Sequence, residues 1–338
     1  LLDQGKVGDA IEAYNKAICL KPDFSNAFYN LGNALQRIGK AEQAIQSYKK
    51  ALSIEPNNAQ VHNNMGVALQ GQDKLDEAIE AYSTALKIKP DYHDAYNNMG
   101  DLLHKKDKLE EAFEAYKKAL SVKPDSAEAY CNIGNVFQDL GKLDEAIESH
   151  SKAISIRPDL AEIWNNMGNV LNENGKSEEA FEALRKSIEL KPDYAEAYNN
   201  MGNVLRGQGN KEEAIDAYNK ALSIKPDFAE VHRNISVIKD YTSNDMQFKK
   251  VRSLLNDKEI DDSARCNLSF SLAKMYEDIG ELDKAFKYLS EGNTLRKKLL
   301  NYSIEQDENL FSKVKKAQPI FLKNSLEIKD TSTKATPI

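Results

Sequence analysis

Seven asparagines stand at one interval along the chain: Asn30, Asn64, Asn98, Asn132, Asn166, Asn200 and Asn234 are each 34 residues from the next, with no substitution. A carboxamide carries one acceptor and two N–H donors, so such a file can pair with both the C=O and the N–H of a bound backbone without reading its side chains. Asparagine is a mediocre helix former, and a merely solvated helical face should drift toward Glu, Lys or Gln. The neighbours do drift: three residues on, the series runs Asn33, Val67, Asp101, Asn135, Asn169, Asn203, Val237. Four residues before the later asparagines stand Asp94, Glu128, Glu162, Glu196 and Glu230, which would favour a neutral or basic ligand. The candidate peptide contacts are therefore the seven asparagines with Asn135, Asn169 and Asn203. Hydrogen bonding between repeats and common descent of duplicated units explain the same constancy, and both alternatives stay open here.

No other constellation offers chemistry. The five histidines are scattered: His62 and His232 take an aromatic's place in one helix type, His150 in the other, and His93 and His104 fall near helix ends. Core or surface packing is their expected role. Cys19, Cys131 and Cys266 lie far apart, with neither metal-ligand spacing nor a disulfide framework, which points to a reducing cytoplasm. Neither a phosphate-binding G-x-x-x-x-G-K-[ST], nor G-x-S-x-G, nor H-E-x-x-H occurs. We expect no catalytic, cofactor-binding or metal-binding residue and no enzyme activity in this segment.

The elements that position the asparagines follow from three further series on the same beat. Pro22, Pro56, Pro90, Pro124, Pro158, Pro192 and Pro226 keep the interval, as do Gly32, Gly66, Gly100, Gly134, Gly168 and Gly202, and Ala44, Ala78, Ala112, Ala146, Ala180 and Ala214. Each unit reads as two amphipathic helices, A and B: a stripe such as Tyr96, Met99, Gly100, Leu103, a turn at Lys106-Asp107-Lys108, and a second stripe of Ala112, Phe113, Tyr116, Ala119 and Leu120. The alanines are expected to open helix B. The glycine lets helix B approach closely, and the proline stops helix B because it has no N–H and its ring clashes with the preceding turn.

On these residues the chain resembles the tetratricopeptide repeats, whose 34-residue unit carries an aromatic, Leu-Gly, Ala-x3-aromatic and Pro at set offsets. Trp164, Met167-Gly168, Leu171, Ala180, Leu184 and Pro192 show the match and its slack. The resemblance implies an all-α, right-handed superhelix of antiparallel helix pairs, with one face of helices A lining the concave groove. We divide the chain into a partial repeat at 1–24, six repeats over 25–228, a degenerate repeat at 229–262, a further repeat-like unit at 263–300, and a helix plus linker at 301–338. A helix A from Ala229 to about Tyr241, a short helix over Asp245–Asn256, and a helix over about Asp307–Ala317 are expected, with a linker from Lys329 to Pro337. Both ends read as cut, since Leu1 falls late in a helix A and would leave the helix B from Ala10 without its partner.

A net charge of −7 argues against a polyanionic partner such as nucleic acid. No apolar run approaches the ~20 residues that span a bilayer, so neither a membrane nor a nucleic-acid partner is expected. The oligomeric state is not legible in the sequence. The row of asparagines is similar to the ladder in the repeat region of O-GlcNAc transferases, which implies an extended polypeptide as ligand. With helices ~8–10 Å apart and an extended chain rising ~3.3 Å per residue, one asparagine would meet about every third peptide residue. The stretch 229–338, through Tyr276-Glu277-Asp278-Ile279-Gly280, Asp283-Lys284-Ala285-Phe286 and Glu291-Gly292-Asn293, resembles the region that joins repeats to the catalytic domain in bacterial repeat-sulfotransferases. No catalytic or nucleotide-binding position of that family maps onto a residue of this sequence.

Overall fold

The structure, a computed structural model, describes residues 6–303 together with 305, 308, 312 and 315. Among the described residues the regular secondary structure is helical throughout. The chain divides into two units, residues 1–208 and 209–338.

The first unit is a run of twelve helices: α1 (Val7–Leu20), α2 (Ser25–Arg37), α3 (Ala41–Ile54), α4 (Ala59–Gln70), α5 (Leu75–Ile88), α6 (His93–Lys105), α7 (Leu109–Val122), α8 (Ala127–Asp139), α9 (Leu143–Ile156), α10 (Ala161–Glu173), α11 (Ser177–Leu190) and α12 (Ala195–Gly207). Even-numbered helices are the A type. Each helix B starts three residues earlier than the alanines suggest; Ala44, Ala78 and Ala112 are fourth residues, not first, and α1 likewise begins at Val7 rather than Ala10. The preceding turn is helical because it holds acidic residues, such as Asp76 and Glu77 in α5 or Glu110 and Glu111 in α7, that complement the positive end of the helix dipole. Between A and B the chain turns through one residue with positive φ, Gly141 (70°) after α8 and Asp107 (57°) after α6.

Helix B ends before the proline, with a last N–H such as Glu55 to Ala51 O (2.9 Å). The next helix A is then entered in one of two ways. Asn58 and Ser126 cap it by accepting from Val61 and Ala129 N–H, both at 3.3 Å. Elsewhere no side chain caps it, and the residue at that place is Leu160, or Phe24, Tyr92 or Tyr194, whose ring lies under Lys21, Lys89 or Lys191. The ring at the fourth place of helix A ties the turn down: His62 Nε2 and the Trp164 indole N–H meet the carbonyls of Pro56 (3.0 Å) and Pro158 (2.9 Å).

Within a repeat the glycine of helix A faces the aromatic of helix B at a spacing that no side chain could share. A Cβ on Gly66 would lie 2.6 Å from Tyr82 Cε1, and one on Gly100 2.5 Å from Tyr116 Cε1. Tyr48, Tyr82 and Tyr116 are fully buried, and His150 and Leu184 take their place in the following repeats. Between repeats, the next place on helix B packs forward, as Phe113 does on Phe137 with ring centroids 5.2 Å apart.

The second unit comprises α13 (Lys211–Ile224), α14 (Ala229–Ile238), α15 (Met246–Leu255), α16 (Asp262–Asp278) and α17 (Leu282–Leu299). α14 stops three residues short of the expected Tyr241, because Tyr241 leaves the helix to fill the core: its N–H donates to Asp278 Oδ2 (3.3 Å) and its hydroxyl to Gln247 Oε1 (2.8 Å). α15 follows as the sequence predicts, capped by Asp245. Tyr276 closes this core, edge-on to Phe248 and stacked on Tyr288. α17 continues helically through Glu291-Gly292-Asn293. The helix expected near 307–317 lies outside the described residues except for 308, 312 and 315, which are helical, and the linker at Lys329–Pro337 lies outside them altogether.

Candidate peptide-binding face

All seven asparagines sit at the sixth place of a helix A and are half-buried, Asn30 to Asn200 in the first unit and Asn234 on α14 in the second. In the first unit five of the six amides turn back toward the preceding repeat. Each of the five donates its NH2 group back to the preceding helix A, with Asn64 Nδ2 reaching Asn33 Oδ1 (2.9 Å) and the Tyr29 hydroxyl (3.1 Å). Asn98 donates to Asn63 Oδ1 (2.9 Å), Asn132 to Asp101 Oδ1 (2.9 Å), Asn166 to Asn135 Oδ1 (3.2 Å) and Asn200 to Asn165 Oδ1 (2.9 Å). Consecutive helices A are stitched together by the row, as the inter-repeat alternative requires.

The acceptor side of the row is different. Asn64 and Asn166 receive a bond at Oδ1 from their neighbours Asn63 (3.2 Å) and Asn165 (3.4 Å). The carbonyl oxygens of Asn98, Asn132 and Asn200 take part in no hydrogen bond with another described residue. Each of these three donates one bond from its NH2 group, so its carbonyl oxygen is the open acceptor it offers to an N–H group and a second N–H stays unbonded among the described residues.

The remaining candidates divide. Asn135 serves as an inter-repeat acceptor, Asn203 is half-buried and engaged within the protein, and Asn169 is exposed. Of the acidic residues, Glu162 is paired with Lys191 (3.0 Å) and Asp94 with the His93 ring (3.1 Å). Glu128 is exposed and forms no ion pair with a described residue. Beneath the face, helix B tyrosines send their hydroxyls up past the glycines: Tyr48 to Asn33 Oδ1 (2.7 Å) and Tyr116 to Asp101 Oδ1 (2.6 Å). Burial raises the Asp101 carboxyl above its ordinary range, the Tyr116 bond opposing this only in part. His150 has no such bond; both ring nitrogens are buried and unpartnered among the described residues, and burial pulls its pKa down to about 4.

Sequence reasoning missed the fifth place of helix A, where Asn63, Asn97, Asn165 and Asn199 are buried. Asn63 and Asn165 receive ladder amides, and the signal was available as an asparagine recurring beside the invariant one. Among the described residues no group of His, Cys, Asp and Glu could hold a metal ion, and the three cysteines are free thiols. No helix of the described residues is long and apolar enough to cross a membrane.

Comparison with known proteins follows the same lines. No curated protein matches the chain. The solved structure of a tetratricopeptide repeat protein from Parabacteroides merdae is similar at 22% identity and a TM-score of 0.58, covering 70% of this chain and 94% of that one. The pilF protein of Pseudomonas aeruginosa is similar at 21% and 0.54, covering 60% and 92%. The Cut9–Hcn1 hetero-tetramer of APC/C is similar at 16% and 0.57, covering 85% and 52%. At these identities the likeness shows the fold alone. A tetratricopeptide-repeat model matches residues 159–227, and the model described as the cilia and flagella-associated protein 70 C-terminal domain matches residues 2–191. That second match spans more than half of the sequence, and the chain belongs to this family of tetratricopeptide-repeat proteins.

Proposed function

We propose that the chain is a protein-binding scaffold whose helix-A face, from Asn64 to Asn200, holds an extended polypeptide. The observation that carries this reading is the open side of the row: one N–H of each amide is held between repeats, while the carbonyls of Asn98, Asn132 and Asn200 remain available to backbone N–H groups. An acceptor at regular spacing suits an extended chain, whose outward N–H groups recur along its length.

The test is a panned library of random, linear 12-residue peptides displayed on phage. Enriched peptides should compete with one another for the chain. They should lose at least tenfold in affinity, about 1.4 kcal/mol, when Asn98, Asn132 and Asn200 are replaced by Ala, in protein shown by circular dichroism to be folded at the assay temperature. Failure to enrich any peptide, or binders indifferent to the triple replacement, would overturn the reading.

A finer proposal concerns the gene. Residues 229–338 form an adaptor ahead of a sulfotransferase domain, supported by the repeat-like pair α16–α17 and its helical passage through Glu291-Gly292-Asn293. The coding sequence beyond Ile338 should then encode a strand and a Gly/Ser/Thr-rich loop able to hold phosphate at a helix N-terminus. A stop codon there removes the proposal, and a glycosyltransferase there replaces it while leaving the peptide face untouched.

A further inference from the structure

One repeat of the first unit departs from the bonding rule of the face. Four of the five ladder amides reach back to the fifth place, two of them to the ninth as well: Asn64 takes both Tyr29 and Asn33, Asn166 takes both Cys131 and Asn135, and Asn98 and Asn200 take the fifth-place residues Asn63 and Asn165. Asn132 takes Asp101 alone. The fifth-place residue it passes over, Asn97, is 2% exposed, and its Oδ1 is buried without a hydrogen-bond partner. Its own NH2 group lies on His93 Nε2 (3.2 Å), which accepts it in the tautomer whose Nδ1–H faces Asp94. A buried acceptor with no donor is destabilising, and native structures rarely keep one without a use.

Asp101 lies one helical turn from Asn97 and three residues from Asn98, so helix geometry makes the three neighbours on α6. It is the only carboxylate at the ninth place of any helix A. It is half-buried, accepts from Tyr116 and Asn132, and makes no ion pair with Lys or Arg among the described residues. The nearby His104 ring is hydrogen-bonded to Asp139 (2.6 Å). The carbonyls of Asn98 and Asn132 are open on the same face. The local groups thus present a carboxylate, an orphaned buried acceptor and two free acceptors.

We infer that repeat 93–126 is the specificity point of the face, taking the lysine ammonium or arginine guanidinium of a bound extended segment between Asp101 and the carbonyls of Asn98 and Asn132, beside the buried Asn97 oxygen. An ammonium brings three donors and a guanidinium five, and neither brings an acceptor. An acidic side chain would face the Asp101 carboxylate and be repelled by it. The inference rests on the peptide-binding reading and adds to it a position and a charge.

The same 12-residue library is panned in parallel on the wild-type chain, on Asp101→Asn, and on Glu114→Gln, which removes an equal charge from an exposed place on α7. Asn already stands at the ninth place in Asn33, Asn135, Asn169 and Asn203, so Asp101→Asn is sterically accommodated. Wild-type and Glu114→Gln binders should carry Lys or Arg at one fixed place at least fivefold above library frequency, and Asp101→Asn binders at library frequency. Wild-type binders without such a place would overturn the inference and leave the peptide face standing. Equal enrichment in all three panels would assign the preference to net charge and overturn it too. No binders at all would remove both readings.

Discussion

Repeats 93–126 and 127–160 share one backbone plan and differ at the residue that passes beneath the glycine of helix A. In the first, Tyr116 crosses under Gly100 and its hydroxyl reaches Asp101 on the face. In the second, His150 crosses under Gly134, is equally buried, and finds no partner at either ring nitrogen. The shorter ring ends within the core, and Asn135 above it takes its bond from Asn166 instead. The helix-A face is therefore wired to the core in one repeat and only to its neighbour in the next. Packing alone keeps the fold, since Leu184 serves at the same place with no polar group at all, whereas polar groups on the face depend on what comes up from below.

Truncating the crossing residue should break the pair most strongly. Tyr116→Ala removes a buried aromatic and should cost about 4 kcal/mol, measurable by urea unfolding. A cost below about 1 kcal/mol would mean that the repeat collapses around the gap. Gly100→Ala should cost about 2 kcal/mol or more, because the new methyl would need a position 2.5 Å from a buried ring atom.

The histidine gives the second repeat a pH dependence that the first lacks. Its folded pKa of about 4 lies below the ordinary value of 6.5, so the folded state prefers the neutral ring. That contribution is complete above pH 6.5 and is lost as pH falls toward 4. By pH 5 it should have withdrawn about 2 kcal/mol. His150→Leu, the side chain of Leu184, should abolish that component relative to wild type, and an unchanged difference between pH 7 and pH 5 would show that His150 is hydrated or paired in solution. Asn132→Ala should cost about 1 kcal/mol for the lost bond to Asp101. The smallest effect is at the turns: Asp107 holds a positive φ where repeat 127–160 uses Gly141, and Asp107→Gly should stabilise by up to about 1 kcal/mol, read as a raised Tm.

The repeat plan was legible because its cause is periodic: a proline that cannot continue a helix, a glycine that an aromatic must cover, and stripes at helical spacing. The starts of helices B were misplaced by three residues, since a solvated acidic first turn carries no hydrophobic period. The asparagine row was legible as a row, and its direction was not. Whether an amide faces a ligand or the preceding repeat depends on acceptors at the fifth and ninth places, and these vary from Tyr29 to Asn63 to Cys131. The orphaned oxygen of Asn97 is a consequence of Asn132 choosing Asp101, a choice between two acceptors of one helix that no spacing encodes.

The most direct measurement is a crystal structure of the chain with one library-selected peptide. The peptide should lie extended across the helices A of 59–208, with backbone N–H groups donating to Oδ1 of Asn98, Asn132 and Asn200 at about 2.9 Å, and with the amides of those asparagines still bonded to the preceding repeat. A peptide bound elsewhere, or one on this face whose backbone leaves all three carbonyls unpaired, would contradict the role of the row in binding and leave it purely structural.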